Sequence, residues 1–373
     1  MSNDNNIITA AKPGQVMASQ RGRASVEILA GMLRFSSDKL RNTARDNFLS
    51  QPEGARLAAE HAQDVAGADV AERVEQVKRL VNADPVYRLE RFVQRYVAEE
   101  MWNRAIVNSE EKRPEIQARV AIPRQGAGGT LDLDPDLAMP DYYDGVEYHL
   151  QPGGWDGFDL YGKQPAGGNV FKYGGVAAVP VHSDIFQHRI QTISQFPKAS
   201  YERVYEIGCG GVHTLAAVHA VFPQAELYGC DLSGGILVNG HDNAERMGLQ
   251  VHLKQRDARH TGEPDASVDG VLSYALHHEA PIAVNVEIFR EVFRMLKPGG
   301  DFVIQDPPPF RAVDAFHAAV LDWDTENREE PYFTETCLAN WDEELRAIGF
   351  VDVSSYALGP GSYPWITRAS KPA

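Results

Sequence analysis

Val204-Tyr205-Glu206-Ile207-Gly208-Cys209-Gly210-Gly211-Val212-His213-Thr214 is the stretch that decides the fold. An apolar run of strand length meets a glycine-rich turn, and a helical pattern follows it. Gly208 and Gly210 permit tight turning and leave backbone N–H groups free to approach a ligand. A dinucleotide-binding turn requires a third glycine in G-x-G-x-x-G, and His213 stands at that position. Glu206, two residues before the first glycine, would repel a pyrophosphate but suits a ligand that carries an ammonium group.

Outward from this turn, short apolar runs alternate with helical patterns. Strands are expected at 204–207, 226–230, 251–255, 268–273 and 301–305, with helices at 214–221, 234–247 and 282–296. Such alternation predicts a parallel doubly wound sheet. The end of the chain breaks the rule. Two strand patterns, 350–357 and 365–369, are separated only by Leu358-Gly359-Pro360-Gly361-Ser362-Tyr363-Pro364, too short for a crossover helix, so the last strand is expected to run antiparallel. Asp231 ends the second of these strands, where a carboxylate can accept both hydroxyls of an adenosine ribose. Asp257 ends the third, placed to accept from an adenine amino group.

Upstream, residues 1–121 form a helical domain by pattern. Val26, Leu29, Met32 and Leu33 recur at helical spacing, as do Val74, Val77, Leu80 and Val81. Residues 122–199 differ, with Tyr142, Tyr143, Tyr148, Trp155, Phe158, Tyr161, Phe171 and Tyr173 interleaved among glycines. That segment is too aromatic for a solvated linker and is expected to be a connector or a lid. The chain has 373 residues, 36 Lys+Arg and 52 Asp+Glu, for a formal net charge of -16. This balance disfavours a phosphate backbone as partner. No run is long and apolar enough for a membrane span, the polar start lacks a secretory pattern, and Cys209, Cys230 and Cys337 are too few for a disulfide framework. A cytoplasmic protein with no nucleic-acid or membrane partner is the expectation.

Residues 200–373 resemble a class I S-adenosylmethionine-dependent methyltransferase of the small-molecule type. Five ordered motifs carry the resemblance: 206–211, 222–233, 255–258, 271–278 and Leu296-Lys297-Pro298-Gly299-Gly300. One departure is Val212, where the family has its third glycine. The resemblance implies a Rossmann-like seven-stranded α/β sheet with a reversed last strand, here joined to an N-terminal helical domain. It implies S-adenosyl-L-methionine as cofactor. Glu206 and the backbone at Gly208 and Gly210 would hold its aminocarboxypropyl end. Asp231 would take the ribose, Leu232 would line the adenine, and Asp257 and Ala258 would close on the adenine edge. Ser273 and Tyr274 would lie beside the sulfonium.

Methyl transfer from a sulfonium asks the protein mainly for alignment, plus a base where the acceptor must lose a proton. His277 and His278, after the fourth strand, and Asp306, at the tip of the fifth, are the catalytic candidates. His182 and His188 are weaker ones, and His182-Ser183-Asp184 is better explained as a helix N-cap. A metal site at His277-His278-Glu279 is disfavoured, because adjacent residues seldom ligate one ion. The acceptor is expected to be a small, aromatic or partly apolar metabolite, of secondary metabolism, walled by the Tyr/Gly segment and by Phe310, Phe316, Leu321, Trp323, Tyr332 and Phe333. Asp306-Pro307-Pro308-Pro309-Phe310 is only superficially similar to the Asp-Pro-Pro-Tyr motif of amino-methylating DNA enzymes. It has an extra proline and follows the wrong strand. Two alternatives remain open: an NAD(P)-dependent oxidoreductase, and a non-catalytic S-adenosylmethionine-binding protein. By analogy, the helical N-terminus suggests a homodimer.

Overall fold

The computed structural model describes residues 18–120, 129–160 and 185–373. His182, Tyr161, Phe171 and Tyr173 lie outside the described residues. The N-terminal helices are α1 (Gln20–Phe35), α2 (Arg41–Ser50), α3 (Pro52–Gln63), α4 (Val70–Val81), α5 (Pro85–Glu111) and α6 (Arg113–Val120). Their starts follow local chemistry. Ser19 caps α1 by accepting from Gly22 N–H, and Asp84 caps α5 by accepting from Val86 N–H, with Pro85 at the first helical position. In α4, Val70, Val74, Val77 and Val81 form one buried stripe.

These helices do not stand apart from the remainder of the chain. Phe48, Leu57, Val74, Val77 and Tyr87 share one apolar core with Phe310, Phe316, Leu321 and Phe333, which follow the sheet's central strands. Phe310, Phe316 and Leu321, expected to wall an acceptor pocket, are therefore core residues. The helix–helix apposition that buries them is a long-range contact that local periodicity does not reveal. Polar ties reinforce it. Glu90 is fully buried against Arg41 and Arg91, and the Arg91 guanidinium lies 4.8 Å from the Trp323 ring centroid. Arg95 donates to the carbonyl of Asn327 at 2.6 Å, and Arg328 donates to Gln94 Oε1 at 3.1 Å.

Among the described residues eight strands form one sheet: β1 (Gly129–Asp132), β2 (Arg203–Ile207), β3 (Glu226–Asp231), β4 (Val251–Gln255), β5 (Val268–Tyr274), β6 (Leu296–Asp306), β7 (Val351–Ala357) and β8 (Trp365–Ser370). Their order is β1-β4-β3-β2-β5-β6-β8-β7. β8 runs antiparallel to both β6 and β7, and the other pairings are parallel. The helices of this half are α7 (Ile185–Ile193), α8 (His213–Val221), α9 (Gly234–Met247), α10 (Ile282–Met295), α11 (Ala315–Asn327), α12 (Phe333–Leu338) and α13 (Trp341–Ile348). Separate apolar cores fill the two faces of the sheet. One contains Leu215, Val218 and Leu253, the other Ile207, Phe289 and Phe302.

The sheet thus has one strand more than the seven expected. β1 belongs to the segment expected to be a connector and pairs with the edge of β4, Gly129 opposite Val251 and Leu131 opposite Leu253. Four residues are too short to show a period of two, so the strand is invisible locally. Gly129 makes the approach possible: its φ is +85, and a Cβ there would sit 2.0 Å from the Val251 carbonyl oxygen.

The turn after β2 is left-handed at Gly208 (φ 65), Gly210 (φ 47) and Val212 (φ 59). A β-branched residue there costs about 1–2 kcal/mol of backbone strain. Val212 is fully buried in the sheet's core, which returns about 1.5–3 kcal/mol and offsets the strain. Val212→Ala keeps the strain and forfeits most of the burial. Val212→Gly forfeits the burial but relieves the strain, at an unfolded-state cost of about 0.4–1 kcal/mol. Urea unfolding should therefore rank wild type above Val212→Gly and Val212→Gly above Val212→Ala. An alanine variant more stable than the glycine variant would refute the strained turn.

Candidate active site

The site forms at the C-terminal ends of β2, β3, β5 and β6. Asp231, at the end of β3, accepts from Gly210 N–H through Oδ2 at 3.0 Å and from Ser233 N–H through Oδ1 at 3.0 Å. It locks the glycine turn to the start of α9 and keeps further lone pairs on both oxygens for donors from a ligand. Burial pushes its carboxyl up to about 6, against the pull of those two N–H groups. Glu206 is 1% exposed, and its Oε2 receives no hydrogen bond from the described residues. Burial pushes Glu206 up to about 8, with Thr214 and the Arg189 guanidinium opposing. A buried carboxylate oxygen without a donor, beside backbone turned open at Gly208 and Gly210, fits the ammonium end of S-adenosylmethionine. Asp231 fits its ribose hydroxyls.

Arg189 escaped the sequence reading. It projects from α7, donates to Thr214 Oγ1 at 3.2 Å and lies 4.6 Å from the Tyr274 ring centroid. Its position between Thr214 and Tyr274 places a cation beside Glu206, and no motif marks a lone arginine in a helix ahead of the first strand. His188, one residue earlier, packs edge-on against Tyr363 at 5.2 Å between ring centroids.

Asp257 is engaged inside the protein: the Arg259 guanidinium reaches it at 2.7 Å, and the Arg259 N–H donates to it at 2.9 Å. Ala258 packs beside it against the core of one sheet face, and the carbonyl of Leu232 accepts from Gln255 Nε2 at 3.0 Å.

The two adjacent histidines have different environments. His277 is fully buried, with Nδ1 2.5 Å from Asn285 Oδ1 and Nε2 2.8 Å from Ser273 Oγ. Because Asn285 Nδ2 donates to the carbonyls of His277 and Ala280, its Oδ1 is the acceptor. His277 therefore donates through Nδ1 and accepts from Ser273 through Nε2, and burial holds its imidazolium below the ordinary value. The structure turns His277 and Ser273 into the core rather than toward the site. His278 faces the other way. Its Nδ1 lies 2.7 Å from Asp306 Oδ1, and its Nε2 has no hydrogen-bond partner among the described residues. Burial pulls its imidazolium down, but the Asp306 carboxylate outweighs this and the pKa reaches about 9.

Near His278 stand tyrosines and a tryptophan of the segment expected to wall the acceptor, joined by Trp102, His149, Asp156 and Glu330, which the sequence did not signal. Part of the glycine/aromatic segment folds over the strand ends: Ser233 Oγ donates to Asp156 at 2.6 Å, and Tyr143 donates to the same carboxylate at 3.0 Å. Tyr148 donates to the carbonyl of Glu279 at 2.9 Å, and Trp155 Nε1 donates to Glu279 Oε2 at 3.2 Å. His149 Nε2 lies 3.3 Å from Glu279 Oε1, and its Nδ1 lies against Glu330 Oε1. Trp102 of α5 holds the carbonyl of His149 at 2.8 Å, and Tyr332 holds that of Tyr142 at 2.9 Å. Glu330, which the sequence did not single out, is 1% exposed.

Residues 204–300 match the family model described as a methyltransferase domain. A demethylmenaquinone methyltransferase of Anoxybacillus flavithermus is 30% identical over 104 residues, which are 27% of this chain and 43% of that protein. The chain thus spans less than half the length of that relative. Among solved structures, a phosphoethanolamine N-methyltransferase 2 of Haemonchus contortus, in complex with S-adenosyl-L-methionine, aligns at TM-score 0.41 and 16% identity over 50% of this chain and 53% of its own. PH0226 protein from Pyrococcus horikoshii aligns at TM-score 0.39 and 18% identity over 51% of this chain and 93% of its own.

Asp231→Ala should weaken S-adenosylmethionine binding by about tenfold or more, since ribose hydroxyls lose a charged acceptor. Unchanged affinity by calorimetry would remove Asp231 from the ribose. Glu206 and Asp231 attract the cofactor only when ionised, and both carboxyls are raised, so affinity should fall as pH drops from about 8 to about 6. A dissociation constant flat over that range would contradict both assignments.

Proposed function

From the premise that the chain carries a class I S-adenosylmethionine-dependent methyltransferase domain, we propose that the protein transfers a methyl group to a small, aromatic or partly apolar metabolite. The observation that carries the reading is the pairing of the His278–Asp306 dyad with the Glu206–Asp231 cofactor end on one rim of the sheet. When bound, the cofactor supplies an activated methyl on its sulfonium. The protein's part is to hold the acceptor in line and to receive its proton. His278 Nε2 is the receiving atom. Asp306 orients the ring through Nδ1 and stabilises the imidazolium that forms. Tyr142, Tyr148, Trp155 and Phe333 give the neighbourhood its aromatic character, with the Phe333 ring edge-on to His278 at 5.5 Å.

Among the described residues no helix is long and apolar enough to cross a membrane, and a cytoplasmic, secondary-metabolic role is our reading. Ile28, Phe35, Leu89 and Phe92 are exposed on α1 and α5, with Phe92 stacked on Tyr96, and they support a homodimer built on the helical N-terminus. The sedimentation mass of the full chain tests that reading, and a monomer at micromolar concentration would reject it.

The dyad makes a signed prediction. His278 accepts a proton only in its neutral form, which is populated above a pKa of about 9. Turnover should rise with pH through that value. Asp306→Asn removes the carboxylate that retains the proton, so the rise should move to lower pH while the maximal rate falls about 10²-fold or more. His278→Ala should lower turnover without changing cofactor affinity, and His277→Ala should instead act through stability. A pH midpoint unmoved by Asp306→Asn would take the dyad out of the proton transfer.

A further inference from the structure

Three carboxylates and two imidazoles meet on the acceptor side of the site. Glu279 and Glu330 flank His149, and Asp306 holds His278. The three carboxyls outnumber the two rings by one. Glu330 is the carboxyl with an oxygen left over. The residue is 1% exposed, its Oε1 lies against His149 Nδ1, and its Oε2 is buried and receives no hydrogen bond from the described residues. A carboxylate oxygen in this state costs stability that a cationic donor would return. The surroundings are aromatic. Trp155 meets His149 edge-on at 5.7 Å, Phe333 meets His278, and Tyr148 is tied to the backbone of Glu279. Ring faces attract a cation and offer an anionic group nothing.

We propose that the acceptor carries an amine, and that Glu330 is the specificity-determining residue that receives its ammonium group. The proposal rests on the methyltransferase reading and adds the nucleophile's chemistry to it. The ammonium first surrenders one proton to neutral His278 Nε2. The nitrogen lone pair then forms the new C–N bond as the S–CH₃ bond breaks, its electron pair passing to sulfur. The products are an N-methylammonium, adenosylhomocysteine and a protonated His278, which returns its proton to solvent. Burial raises the Glu330 carboxyl while His149 opposes that shift, so a second cation arriving at Oε2 would favour the ionised form further.

Phenylethylamine, phenylethanol and phenylpropionate share a ring and differ in the charge of the terminal group, which suits them as probes. Calorimetry with the full-length protein loaded with adenosylhomocysteine should show the amine binding at least about tenfold more tightly than the alcohol, and the carboxylate more weakly than either. Glu330→Gln preserves shape. It should remove about a tenfold or greater preference for the amine, raising KM more than it lowers kcat, with cofactor affinity and melting temperature held. Equal binding of amine and alcohol, or an amine preference untouched in Glu330→Gln, would overturn the assignment. Release of adenosylhomocysteine with a phenolic acceptor but with no amine would also overturn it while leaving the methyltransferase reading intact. Failure of the wild type to bind adenosylmethionine at all would overturn both.

Discussion

The Asp231 carboxylate is the constraint from which the site follows. One oxygen takes the Gly210 N–H, the other the Ser233 N–H, and together they pin the turn after β2 to the first turn of α9. The clamp holds a turn that is left-handed at residues 208, 210 and 212, where burial of Val212 offsets its strain. The clamp also explains the charge arrangement. Burying an acid at the strand end raises its pKa and makes a hydroxyl-rich ligand a better partner than bulk water would suggest. Glu206, on the neighbouring strand, is buried near Thr214 and Arg189.

A second coupling runs from the N-terminal helices to the acceptor side. α2 to α5 pack on Phe310, Phe316 and Phe333, and Arg95, Arg328 and Gln94 tie α5 to the end of α11. Glu330 lies on the short link between α11 and α12, so its depth is set by helices more than 200 residues earlier in the chain. Trp102 performs the same service for His149. The helical region thus helps to set the surroundings of His149 and of the link that carries Glu330.

Much of the sheet was legible because its signals are local. Apolar runs, the turn glycines and the short final hairpin placed β2 to β8 and the reversal of β8 within a few residues. β6 extends back to Leu296 because the Lys297-Pro298-Gly299-Gly300 turn joins the ladder's start. β1 was not legible, since four residues gain strand character only from the edge of β4. In the site, strand-end acids were readable from position alone. The division of labour between His277 and His278 was not, for it depends on Asn285 and Asp306, residues brought close only by the fold. Asp257 held by Arg259, Glu330 buried against His149, and Arg189 reaching over Tyr274 are likewise products of tertiary packing. Adjacent charges in sequence look solvated until a helix covers them.

The central claim is that this strand-end geometry binds S-adenosylmethionine and no dinucleotide. Parallel calorimetric titrations of the full-length protein with S-adenosylmethionine, NAD and NADP at pH 8 test it most directly. The account predicts saturable heat with S-adenosylmethionine alone. Saturable binding of NAD or NADP, with none for S-adenosylmethionine, would contradict it.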